Sequence, residues 1–207
     1  MRSDFPLKEK YGFHDLVQIM RVLRGPGGCP WDAQQTHASI RKNFIEETYE
    51  AIEAIDAADP VLLQEELGDV LLQVIYHAAM EEEQGSFSID DVCDGVCKKL
   101  VTRHPHIFGD IKADTAEEVL SNWEEIKQRE KGQKTATETL ESVPKVFPAL
   151  MRAEKIQKRA SRAGMDYDSL NDAFRDLRSE VDELEDAVKS GTVQEKTLEL
   201  GDLLFSA

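Results

Sequence analysis

Between Asn43 and Cys97 the chain has no lysine and no arginine. Those 55 residues hold fifteen acids, and the whole chain of 207 residues carries 41 acids against 25 bases, a formal net charge of −16. Outside the base-free stretch 26 acids face 25 bases, so the charge is local and not a general solubilising coat. A sequence-independent nucleic-acid binder needs a basic footprint, and none is present overall. No apolar run approaches the roughly 20 residues of a membrane span. The opening MRSDFPLKEKYGFHD lacks the apolar segment of a secretory signal, so a cytoplasmic protein is expected. The three cysteines are an odd number, and Cys93 and Cys97 have no nearby partners for a zinc site, which points to reduced thiols. Strand-like alternation is scarce. What is present is enough apolar material, 41%, for a folded core, in a length that allows one large domain or two small ones.

Almost every segment has helical periodicity. A first helix runs from about Phe13 to Arg24 and stops at Gly25-Pro26-Gly27-Gly28-Cys29-Pro30. A second spans about Ser39 to Ala57, with Ile40, Phe44, Ile45, Ile52 and Ile55 as its apolar positions. Asp59-Pro60 is an N-cap followed by proline, opening a third helix to Gln84 with Leu67, Val70, Leu71, Val74, Ile75 and Ala78 inward. A fourth covers about Ser88 to Arg103 and is ended by Pro105, His104 to Asp114 is a loop, and Thr115-Ala116-Glu117-Glu118 is a capping box opening a fifth helix to Lys131. Residues 132–147 form a polar linker. Three more helices follow, near 148–163, 170–190 and from Val193 onward.

Glu47 and Glu50 are three apart, and so are Glu66 and Asp69; each pair shares one helix face. The break at Ala57-Asp59 makes the second and third helices antiparallel neighbours and brings the two pairs to comparable height. Converging carboxylates need a cation, and oxygen-only donors favour Mg²⁺ or Mn²⁺. His77 is the only histidine expected on these helices, and the Glu-x-x-His of di-iron bundles is missing. Solvated glutamate pairs are common, but Gly68 sits mid-helix beside Asp69 at a cost of about 1 kcal/mol, which close helix packing or close ligand approach would explain.

A shift of 133 residues superimposes Glu47, Glu50, Glu66, Leu67, Gly68, Asp69 and Leu71 on Glu180, Glu183, Glu199, Leu200, Gly201, Asp202 and Leu204 without a gap. Two related helical units in tandem follow: residues 1–131, then the linker, then 148–207. Glu46 becomes Ser179, and the second unit lacks counterparts of the fourth and fifth helices, so it is expected to be incomplete.

With its Glu46-Glu47-x-x-Glu50 and Glu66-x-x-Asp69 spacing, the sequence resembles the MazG-type all-α nucleoside triphosphate pyrophosphohydrolases. Gly28-Cys29-Pro30-Trp31-Asp32, Arg103-His104-Pro105-His106-Ile107-Phe108 and the segment PALMRAEKIQKR support the resemblance, which covers nearly the whole chain. It implies an all-α helical bundle, a homodimer, and Mg²⁺-dependent hydrolysis of nucleoside triphosphates to monophosphate and pyrophosphate. In that reading Glu47, Glu50, Glu66 and Asp69 hold metal, and a metal-activated water attacks the α-phosphorus. Glu46 orients the water or shares a second metal, or is a plain surface carboxylate. Glu180, Glu183, Glu199 and Asp202 are the second copy of the metal set. Lys99, Arg103, Trp123 and Lys127 match nucleotide-contacting positions; spacing alone reads them as a solvated basic face and a core tryptophan. Two other readings stand beside this one: a related enzyme of narrower substrate, such as dUTP or phosphoribosyl-ATP, and a catalytically inactive acidic interaction module.

Overall fold

The computed structural model describes residues 5–206 apart from 114, 131, 133 and 134, and the backbone only of Glu124 and Gln128. Eleven helices and no strand occur among the described residues. The chain divides at Thr102/Arg103 into two compact units. The expected end of the fifth helix at Lys131, like the Asp114 end of the preceding loop, lies outside the described residues.

The first unit contains α1 (Phe13–Arg24), α2 (Pro30–Gln34), α3 (His37–Asp56), α4 (Pro60–Glu83) and most of α5 (Ile89–Arg103). Helices α3 and α4 form an antiparallel hairpin. Its turn places Ala58 at φ 51°, in the left-handed region that an alanine seldom adopts. Asp59 Oδ1 then accepts from the Val61 and Leu62 amides at 2.9 and 3.1 Å and starts α4. Proline at the next position loses no hydrogen bond.

Val17 and Met20 of α1, Ile40 of α3, Ile75, Tyr76, Ala78, Ala79 and Met80 of α4, and Ile89 of α5 make the core. The inward face of the hairpin differs from the expected one. Leu67 and Leu71 are 53% and 37% exposed, and Ile45, Ile52 and Ile55 are also exposed. The small Ala51 and Ala54 are buried instead, so narrow side chains let α3 approach α4 while the bulkier apolar ones point away. Nothing lies within 4 Å of a Cβ built on Gly68. Tight helix packing therefore does not explain that glycine.

Salt bridges join α1 to the far end of α4. Arg21 grips Glu82 through two bonds of 3.0 and 2.7 Å, and Arg24 grips Glu83 through two of 2.6 and 2.8 Å. Arg24 also donates to the Asp32 carbonyl at 2.6 Å and lies over the Tyr76 ring at 5.3 Å. The Tyr76 hydroxyl bonds to Asp32 Oδ1 at 2.9 Å. Burial and this carboxylate push the Tyr76 hydroxyl up to about 12. Asp32 thus locks α2 to α4, while the neighbouring Trp31 is exposed.

The second unit contains α6 (Pro105–Phe108), α7 (Ala116–Glu130), α8 (Ala136–Glu141), α9 (Ala149–Arg162), α10 (Leu170–Ser190) and α11 (Val193–Ser206). Three short helices, α2, α6 and α8, fall where loops or a linker were expected. Helix α8 lies inside 132–147 and has a complete capping box, with Thr135 Oγ1 accepting from the Glu138 amide at 3.1 Å and Glu138 answering at 3.1 Å. Val143, just beyond it, is buried. Arg159 of α9 donates to Ser142 Oγ at 2.8 Å, so this segment is packed against α9. Helices α10 and α11 repeat the hairpin, turning at Gly191-Thr192.

The Arg24 side chain is 5% exposed, and Glu83 is nearly half exposed. Arg24→Ala removes the bonds to Glu83 and to the carbonyls of Asp32 and Gln35, so it costs about 2–3 kcal/mol. Glu83→Gln keeps an acceptor in water and costs less. Urea midpoints followed by circular dichroism rank the two; equal shifts would show that Arg24 contributes only a surface pair.

Candidate metal centre

The turn at Ala57-Asp59 sets the register of α3 on α4, and that register decides which acids meet. Carboxylate oxygens of Glu47, Glu66 and Asp69 lie within 4.8 Å of one another. Glu50, more exposed, is close enough to hydrogen-bond both Glu47 and Glu66. Burial lifts the Glu47 carboxyl above its ordinary range, and the charges of Asp69, Glu50 and Glu66 lift it further. Burial, then Glu50, Glu65 and Asp69, raise Glu66 in the same direction. No lysine or arginine is ion-paired to these four acids among the described residues.

The donor set is chemically uniform. It has only carboxylate oxygens, with neither sulfur nor imidazole, and they lie close enough together to reach one ion. These residues fit a hard divalent cation.

Glu46 is one residue from Glu47 but outside the cluster. It pairs with Lys42 at 2.7 Å on an exposed face of α3. Gln73, one turn past Asp69, is a buried polar residue, and its Oε1 has no partner.

The second hairpin repeats the arrangement. Oxygens of Glu180, Glu199 and Asp202 also lie within 4.8 Å of one another. Burial raises the Glu180 carboxyl, and Glu183, Asp202, Asp176 and Glu199 add to the effect. Glu183 accepts from Ser179 Oγ at 2.9 Å, the serine that stands at the Glu46 position of the repeat. A cavity of about 1060 Å³ in this unit reaches Glu180, with Lys158, Arg162, Met165, Tyr167 and Phe205 in its lining.

Arg103, Trp123 and Lys127 come together within the second unit. The Arg103 guanidinium is 5.1 Å and the Lys127 ammonium 4.5 Å from the Trp123 ring centre. Arg103 is held by Glu130 at 2.6 Å. Lys99, one turn earlier on α5, is exposed. His104 and His106 flank Pro105, the first residue of α6, with ring centres 5.6 Å apart.

One feature escaped the sequence reading. Helix α3 begins at His37, two residues earlier than expected, so His77 is not the only histidine of the hairpin. The signal was Thr36-x-x-Ser39: each side chain bonds the other's backbone amide, at 3.2 and 2.9 Å.

Residues 35–108 match the family described as MazG nucleotide pyrophosphohydrolase domain, a span holding α3, α4, α5 and α6. The nucleoside triphosphate pyrophosphohydrolase of Escherichia coli K12 is 43% identical over 194 residues, which cover 92% of this chain and 74% of that protein. The nucleoside triphosphate pyrophosphohydrolase/pyrophosphatase MazG of Thermotoga maritima is 44% identical, covering 94% of this chain and 73% of the relative. A relative from Mycolicibacterium smegmatis with the same pyrophosphohydrolase name is 38% identical over 189 residues, covering 84% of this chain and 57% of its own length. On this similarity, carried over almost all of its length, the chain belongs to the MazG nucleotide pyrophosphohydrolase family.

Proposed function

We propose that the chain hydrolyses nucleoside triphosphates to nucleoside monophosphate and pyrophosphate at the α3–α4 carboxylates, with Mg²⁺ as the metal and Mn²⁺ as a substitute. The observation that supports this reading most is the convergence of Glu47, Glu66 and Asp69, with Glu50 beside two of them, on a hairpin whose Lys42 pairs with Glu46 and with none of the four. The relatives' names give the reaction class.

Glu47, Glu50, Glu66 and Asp69 would hold the metal. Bound there, Mg²⁺ supplies charge neutralisation for the triphosphate and lowers the pKa of water. The chain's own part is to present four carboxylates from two rigid helices, so that little reorganisation accompanies substrate binding. Glu47 and Glu66, whose carboxyls lie above their ordinary range, would accept as carboxylates beside a bound cation. Water attacks the α-phosphorus and pyrophosphate leaves. We assign nucleotide contacts to Lys99, Arg103, Trp123 and Lys127; the indole offers a face to a base, and the cations offer charge to phosphate. Glu46 is assigned an auxiliary role in orienting water, despite its pairing with Lys42. The exposed apolar residues Ile45, Tyr49, Ile52 and Leu67 support a homodimer. No helix among the described residues is long and apolar enough to cross a membrane, and we place the enzyme in the cytoplasm.

A second reading has one observation in its favour. The cavity beside Glu180 gives the α10–α11 cluster room for a ligand, so this copy would bind metal as well.

Asp69→Asn or Glu50→Gln should lower kcat/KM in a pyrophosphate-release assay by on the order of 100-fold or more. Glu183→Gln with Asp202→Asn should leave it near wild type. The reverse pattern would move the working site to the second hairpin, and a panel of nucleotides, dUTP and phosphoribosyl-ATP in the same assay separates the narrower enzymes. No turnover of any of them with Mg²⁺ or Mn²⁺ would favour an inactive module.

Carboxyls whose folded pKa is raised weaken the metal-free fold as the pH rises above their ordinary 4.5. Mg²⁺ at a hundredfold excess over its Kd should therefore stabilise the chain by about 2.7 kcal/mol at pH 7.5. Glu47→Gln should raise the metal-free melting temperature and shrink the Mg²⁺ response; scanning calorimetry with and without EDTA measures both.

Trp123→Ala should raise KM for every nucleotide several-fold and leave kcat within about twofold, as the loss of uniform binding does. An unchanged KM across four bases removes the stacking role.

A further inference from the structure

At the far end of the hairpin from its turn, three side chains form a chain of hydrogen bonds that the metal centre does not use. His77 Nδ1 and His37 Nδ1 are 2.7 Å apart, and His37 Nε2 is 2.7 Å from Glu81 Oε1. The two imidazole planes are within 3° of parallel, with centres 5.0 Å apart. That separation equals the N–N distance plus one ring radius at each end. The rings therefore lie edge to edge along one line, in the geometry of a straight N–H···N bond, and are not stacked face to face.

Proton positions follow from the partners. Glu81 accepts only, so His37 Nε2 carries a hydrogen. In the neutral pair His37 Nδ1 is then the acceptor and His77 Nδ1–H the donor. One added proton leaves a donor and an acceptor between the rings. A second added proton sets N–H against N–H at 2.7 Å, which the contact cannot survive.

We propose that His77, His37 and Glu81 form a proton-limited clamp that fixes α3 against α4 and opens when both imidazoles are charged. The clamp and the Ala57-Asp59 turn pin the two ends of one seam. Glu47 lies ten residues after His37, and Asp69 eight before His77, so the acid cluster lies between the pins. Opening the clamp frees the first turns of α3 and loosens the alignment of the cluster.

The surroundings limit what else can titrate there. On α3, Arg41 is one turn from His37, and the Phe44 ring packs 5.7 Å from His77. On α4, Gln73 is one turn from His77 and uncharged. From α1, Arg21 and Arg24 are engaged by Glu82 and Glu83. From α2, Asp32 is bonded by the Tyr76 hydroxyl. Glu81 is the one carboxylate bonded to the pair. Burial, and then His37, hold His77 below the ordinary imidazole value of 6.5. A folded pKa held below the unfolded one means that stability is full above pH 6.5 and is lost as the pH falls through the depressed value.

The test uses the whole, metal-free chain, so its failure is separate from failure of the metal reading. Long-range ¹H–¹⁵N spectra of histidine-labelled protein should show at pH 8 a hydrogen on His77 Nδ1 and on His37 Nε2. The two imidazoles should charge in steps at least tenfold apart in proton affinity. Amide protection in residues 38–42 should drop tenfold or more with the second step. His77→Asn, whose side-chain amide donates to His37 but cannot charge, should keep that protection at pH 5. Both imidazoles charging together near 6.5, Nε2–H on both rings at pH 8, or equal loss of protection in the variant would overturn the clamp. Should the variant not fold, the wild-type spectra and protection decide alone.

Discussion

Like-charge repulsion inside the α3–α4 seam is the constraint on which the rest of this structure depends. Two antiparallel helices in contact normally bury apolar side chains along their whole length. Here one layer of the interface is Glu47, Glu66 and Asp69, with Glu50 at its edge. Repulsion among them must be overcome by everything else in the hairpin. The alanines at 51 and 54 bring the helices close on one side of that layer, and Ile40, Ile75 and Tyr76 fill the core on the other. The acids are held together by packing on both sides.

Charge compensation follows the same division. The base-free stretch needs cations from elsewhere, and α1 provides them only at its far end. Arg21 and Arg24 bond to Glu82 and Glu83. Lys42 pairs with Glu46, and Lys98 with Asp94. These pairs leave the central acids alone. An arginine in the centre would fill the place that a divalent cation needs. The separation of acids that are satisfied within the protein from acids that are not is what makes the central group a candidate site.

The main helices were legible because their signals are local: period, caps, and the proline after Asp59. The E-x-x-E and E-L-G-D pairs were legible because three-residue spacing on a helix fixes a shared face, and the turn fixes the height at which the faces meet. Other features depend on tertiary context. Leu67 and Leu71 have the right period for a core, yet they are exposed because the alanines of α3 occupy the close face. Helix α8 lies in a polar segment of weak periodicity, although Thr135 and Glu138 form a capping box of the same T-x-x-E pattern as Thr115 and Glu118. The paired histidines were hidden by a two-residue error at the start of α3. Such an error is harmless for a fold and decisive for a site, since it removed His37 from the helix on which it meets His77.

The duplicated hairpin shows which part of the pattern is sufficient for convergence. Units one and two share the four acids, the mid-helix glycine and little else between them, yet three carboxylates meet within 4.8 Å in both. The turns differ: Ala57-Ala58-Asp59 in the first, Gly191-Thr192 in the second. The flanking residues differ too, with Ser179 drawing Glu183 toward itself where Glu46 turns away to Lys42. A Cβ built on Gly68 or on Gly201 would meet nothing within 4 Å. A packing role would have required contact in at least one hairpin, and both lack it. The open space beside each glycine lies one residue from a clustered aspartate. Of the two explanations that a costly mid-helix glycine allows, room for a ligand is the one consistent with both copies. The acids that have no ion-pair partner among the described residues support the same proposal for each hairpin.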